Sequence, residues 1–71
     1  MEKTMIGEHA GIVWRALSEK GGLSFEQLQA ATNLDSADVL TAIGWLAREN
    51  KISFTKSNGI TSVQIYQEKY Y

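Results

Sequence analysis

The stretch ISFTKSNGITSVQIYQ, residues 52–67, admits one strand pairing. Asn58-Gly59 is the favoured pair for a two-residue type I′ turn, because both central residues of that turn need a positive φ. A turn there sets Ser57 opposite Ile60, Phe54 opposite Val63 and Ile52 opposite Ile65. Ile52, Phe54, Val63 and Ile65 then share one face, while Ser53, Thr55, Ser62 and Gln64 share the other. A slip of one residue destroys that segregation. The last part of the chain is therefore expected to be a β-hairpin.

What precedes the hairpin reads as helical. Ile6, His9, Ala10, Val13, Ala16 and Leu17 recur at helical spacing, which predicts a helix from about Lys3 to Lys20. Gly21-Gly22 stops it, since glycine readily takes the left-handed conformation of a helix end. "SFEQ" at 24–27 matches a capping box, with Ser24 as N-cap and Gln27 reaching back. A short second helix follows, expected to turn Phe25, Leu28 and Ala31 inward. Asn33 and Leu34 make a turn, and "DSAD" at 35–38 opens a third helix capped by Asp35 or Ser36 and ending near Asn50. Its core stripe is expected to hold Val39, Leu40, Ile43, Leu46 and Ala47.

Three helices with short connections and then a β-hairpin is the order of a winged helix-turn-helix, an α+β fold of one domain over residues 1–71. Helices two and three form the helix-turn-helix, Asn58-Gly59 is the wing tip, and "GLS" at 22–24 supplies a short third strand.

Size and composition narrow the function. A chain of 71 residues buries a small core, and domains of this size commonly gain stability from disulfides, a metal or a partner subunit. With no cysteine and one histidine, disulfides and thiolate metal sites are excluded, and His9 alone makes no metal site. No cofactor is expected. Oligomerisation is the aid left. Seven Lys/Arg against eight Asp/Glu, a formal net charge of −1, lacks the basic surplus usual in a dedicated nucleic-acid binder. Nothing resembles a signal peptide or a membrane span, so the expected setting is cytoplasmic with no membrane partner.

"IGEHAGIVWRALSEKGGLSFEQL" followed by "DVLTAIGWLARENKISF" resembles a family of small bacterial and archaeal winged helix-turn-helix domains of unknown function. The resemblance spans nearly the whole chain, and "AIGWLAREN" is its most specific part. It implies the winged-helix fold and a homodimer, and it brings no established substrate, cofactor or DNA site. Trp14, Gly44, Trp45, Leu46 and Arg48 stand out as pattern positions.

Two candidate surfaces follow. In a DNA-reading winged helix the outer face of helix three enters the major groove. Here that face and the wing tip offer Ser36, Thr41, Arg48, Lys56, Ser57 and Asn58 to double-stranded DNA, while Asp38 and Glu49 repel phosphate. The second surface suits a protein. Trp45 lies two positions from Ile43, a rotation of about 200°, and so points away from the core. Three destinations are open to it: the C-terminal aromatics Tyr66, Tyr70 and Tyr71, a protein contact, or a nucleic-acid base. On helix one, Gly7, Gly11 and Trp14 line a flank beside the core stripe that permits close approach by another helix or strand. Gly7, Gly11, Trp14, Trp45 and Tyr70 are thus the expected protein interface. His9 is expected to be a satisfied, partly buried core residue. No Ser-His-Asp set, phosphate loop or carboxylate pair is present, so catalysis is not expected. The two functions that fit are a DNA-binding regulator module, probed by its salt dependence, and a winged helix that grips protein instead, probed at Trp45.

Overall fold

The computed structural model describes residues 3–66, with side chains from Ile6 onward. Helix α1 spans Lys3–Lys20 and buries Ala10, Val13, Ala16 and Leu17. It ends where Gly21 adopts φ +81° and donates its N–H to the Leu17 carbonyl at 2.9 Å. Strand β1, Leu23–Ser24, leads directly into helix α2, Phe25–Thr32. The capping box is formed: Ser24 Oγ accepts from the Gln27 N–H at 3.2 Å, and Gln27 Oε1 accepts from the Ser24 N–H at 2.8 Å.

The turn between α2 and the next helix is closed by polar contacts. Asn33 sits in the left-handed region at φ 61°, and Thr32 Oγ1 both donates to the Leu28 carbonyl and accepts from the Leu34 N–H. Helix α3, Ser36–Arg48, starts with Asp35 as its N-cap, whose Oδ1 accepts from the Asp38 N–H at 2.8 Å. It stops where Asn50, at φ 56°, donates to the Ala47 carbonyl and Lys51 donates to that of Leu46. The end of α1 and both ends of α2 and α3 therefore have partners for some of the backbone groups a helix end leaves over.

Strands β2, Ile52–Ser57, and β3, Ile60–Ile65, pair in the register read from the turn residues: Ile52 with Ile65, Phe54 with Val63, Ser57 with Ile60. Asn58 and Gly59 take φ 53° and 79°, as a type I′ turn requires. The expected third strand is present: β1 pairs antiparallel with β3, Leu23 facing Val63, in a sheet of order β1-β3-β2.

One cluster of buried residues joins α1, α2, α3 and the base of the sheet, with Val13, Leu28 and Val39 enclosed most completely. Three expected core residues are exposed instead. Ala31 is exposed, on an open groove that it shares with Ile12 and Arg15 between α1 and α2. Leu40 is 59% exposed, because the buried arc of α3 is centred on Val39, Ala42, Ile43 and Leu46. Ala42 holds the place expected for Leu40. Phe54 shares a face with Val63 but is 52% exposed, since β2 is an edge strand of the sheet, whereas its cross-strand partner Val63 lies on the central strand and is buried.

Candidate nucleic-acid interface

The groove-reading element of a helix-turn-helix is its second helix, here α3. Buried Val39, Ala42, Ile43 and Leu46 tie one side of it to the body, and α1 is its principal neighbour. The opposite side carries Ala37, Leu40, Thr41, Gly44 and Arg48. Ser36 is exposed at the first turn and Arg48 at the last. Both ends suit the helix dipole, with Asp38 in the first turn and Arg48 in the last.

Thr41, half-buried, has its hydroxyl engaged. Its Oγ1 donates to the Ala37 carbonyl at 2.8 Å, so the side chain holds no free donor for a base edge. Arg48 is thus the side chain of α3 suited to a bidentate contact with guanine. At the wing, Lys56, Ser57 and Asn58 are all exposed, and Lys56 is the one cation there. Gln64 Nε2 donates to Thr55 Oγ1 across the polar face of the hairpin.

Asp38 meets α1. Its Oδ1 lies 3.7 Å from His9 Nδ1, beyond hydrogen-bond length. His9 is largely buried, and among the described residues its Nδ1 has no hydrogen-bond partner, so the expectation of a satisfied core histidine is not met at this atom by any described residue. Sequence spacing gives no sign of the pairing, because it arises only from how α1 crosses the start of α3. Among the described residues no cluster of three or more His, Asp and Glu is placed to hold a metal ion. No helix there is long and apolar enough to cross a membrane.

Of the expected protein-contact residues, Gly7, Gly11 and Trp14 lie on α1 and Trp45 lies on α3. Gly7 and Gly11 are exposed on α1, and a Cβ at either would meet nothing within 4 Å. The same is true of Gly44, so the space beside Trp45 does not depend on that glycine. Trp14 packs against the core and forms a surface cleft of about 350 Å³ with Glu49, Asn50, Lys51 and Tyr66. Tyr66 therefore shares its cleft with Trp14. Trp45 is 37% exposed on α3. Tyr70 and Tyr71 lie outside the described residues. Sequence reasoning missed Leu40 as a surface residue, although its position on the helix, beyond the arc of Val39 and Ile43, carried the signal.

The profile of the family described as winged helix-turn-helix domain (DUF2582) matches residues 1–65. The solution structure of protein BT2368 from Bacteroides thetaiotaomicron is 40% identical over 92% of this chain and 79% of its own, with a TM-score of 0.83. Two more distant structures share the fold. BpsR of Bordetella bronchiseptica, whose DNA binding is regulated by 6-hydroxynicotinic acid, superposes with a TM-score of 0.74 at 22% identity, over 82% of this chain and 42% of that one. The Zalpha domain of Carassius auratus PKZ, solved with Z-DNA, gives 0.74 at 13% identity, over 86% and 97%. No curated protein matches the chain.

Proposed function

The chain belongs to the winged helix-turn-helix (DUF2582) family, and from that premise we propose that it is a non-enzymatic, cytoplasmic DNA-binding module of the regulator type. The observation that carries this reading is the exposure of Arg48 on α3 together with Lys56, Ser57 and Asn58 on the wing, where a winged helix meets the major groove and the backbone. Ser36 at the first turn of α3 and the Thr41 side chain complete the face. Backbone amides and small hydroxyls add phosphate contacts without charge. That the two more distant structures come from DNA-binding proteins supports the reading through the fold alone.

The test is a gel shift of the chain with random-sequence duplex at low salt. A shift that weakens in Arg48→Ala and Lys56→Ala is expected. No shift at micromolar protein removes the reading.

A second reading is favoured by a specific observation: Leu40 and Trp45 leave apolar surface exposed on α3. In it the domain is a homodimer or adaptor that contacts protein, through Trp45, through the Gly7, Gly11 and Trp14 flank, or through Tyr70. Trp45→Ala then disturbs assembly while the domain stays folded.

A further inference from the structure

We propose, resting on the DNA reading of α3, that the duplex is recognised through the methyl groups of thymine, with Leu40 as the side chain that touches them.

A large aliphatic side chain stands where a reading helix faces the groove. Leu40 is 59% exposed, beside the outward line that Ala37, Thr41, Gly44 and Arg48 form along α3. The buried arc of the helix is filled by Val39, Ala42, Ile43 and Leu46, so the domain itself gives Leu40 no apolar cover. Its carbon is left to be covered by whatever α3 meets.

Hydrogen-bond donors are scarce along the same stretch. The Thr41 hydroxyl donates to the Ala37 carbonyl at 2.8 Å. The indole N–H of Trp45, on the flank away from Leu40, is the only other side-chain donor between Ser36 and Arg48. The middle of the helix therefore meets a base edge mainly with carbon.

The four bases differ in how they meet such a surface. In the major groove guanine shows two acceptors, cytosine an amine donor, and adenine one of each, whereas thymine shows one acceptor and a methyl group. A guanine or cytosine edge set against Leu40 loses water from its polar groups and gains no partner. The thymine methyl is the one group of the set that gains from contact with carbon. Guanine is served at the other end of the helix, where Arg48 is exposed. Leu40 and Arg48 are eight residues apart, about 12 Å along the axis at roughly 1.5 Å per residue, so the two contacts fall on different base pairs of one site.

The charges near this stretch permit the approach. Asp38 is half-buried and lies toward α1, its Oδ1 3.7 Å from His9 Nδ1. The outward line from Ala37 to Arg48 thus carries no carboxylate. Asp35, before it, has one carboxylate oxygen committed to the Asp38 N–H.

The experiment measures binding of the full chain, by fluorescence anisotropy at low salt, to two duplexes of one sequence. Both consist of A·T pairs with a G·C pair in each turn, one made with thymine and the other with uracil. Uracil keeps the pairing and the acceptor and lacks only the methyl. The thymine duplex is expected to bind about fourfold tighter for each methyl buried, the gain from covering one carbon. Leu40→Ala, at an exposed position and checked for folding by circular dichroism, is expected to bring that ratio below about twofold, with the uracil duplex bound as before. Equal binding of the two duplexes by the parent chain overturns the inference and leaves the DNA reading standing. A ratio that survives in Leu40→Ala also overturns it, because the methyl then acts through duplex shape. Binding to neither duplex removes the DNA reading, and this inference with it.

Discussion

Thr41 and Ala37 stand one turn apart on α3, and the Thr41 hydroxyl donates to the Ala37 carbonyl at 2.8 Å. The middle of the reading helix therefore keeps its donor within the helix. Arg48, exposed at the last turn, has no such engagement with a described residue. In duplex binding followed by fluorescence anisotropy, Thr41→Val is expected to change affinity by less than about threefold. Arg48→Ala is expected to weaken it by about tenfold, the effect of losing one good base contact of about 1–3 kcal/mol. Equal losses at the two positions would contradict this division.

The helix-turn-helix is held at its entry points by two side-chain caps. Ser24 and Gln27 satisfy each other's backbone N–H groups at the start of α2, and Asp35 takes the Asp38 N–H at the start of α3. Replacing either cap by alanine, Ser24→Ala or Asp35→Ala, is expected to lower stability by about 1 kcal/mol. Urea denaturation with a common m-value measures it.

Gly11 lies within α1 and a Cβ there meets no atom within 4 Å. No described residue requires the glycine, which costs a helix interior about 0.8–1 kcal/mol relative to alanine. Gly11→Ala is expected to stabilise the chain by about that amount and to raise the melting temperature by roughly 4–8 °C. A lower melting temperature would show that the bare backbone at Gly11 is used in a contact.

Most of the fold was legible in the sequence, and the reason differs from element to element. The hairpin register followed from the period of two in Ile52, Phe54, Val63 and Ile65 around one turn, and every expected pair is present. The caps were legible because Ser24 and Asp35 act on groups three residues away, within reach of local reasoning. The errors lie where burial depends on a neighbouring element. Periodicity allowed Leu40 into the stripe of α3, but α1 and the sheet cover the arc that holds Ala42 instead. Phe54 obeys the alternation and still reaches solvent, because it sits on β2, at the edge of the sheet. Ala31 follows Leu28 by one turn, yet α1 diverges there and leaves a groove.

The candidate site was legible as positions and less so as chemistry. Ser36, Arg48, Lys56, Ser57 and Asn58 are exposed as expected. The engagement of Thr41 and the approach of Asp38 to His9 depend on rotamers and on helix crossing, which spacing does not encode. The balance of charge, seven Lys/Arg against eight Asp/Glu, was visible from the start and sets the expected strength of any DNA contact.

The most direct measurement of the DNA reading is the salt dependence of duplex binding. Arg48 is placed at a base edge and Lys56 on the wing against the phosphates, so the plot of log affinity against log salt is expected to have a slope of about −1, from roughly −0.9 per neutralised phosphate. The slope should fall toward zero in Lys56→Ala. Saturable binding with these slopes is the result the account predicts. No change in anisotropy at low salt, or binding whose slope is the same in Lys56→Ala, would contradict it.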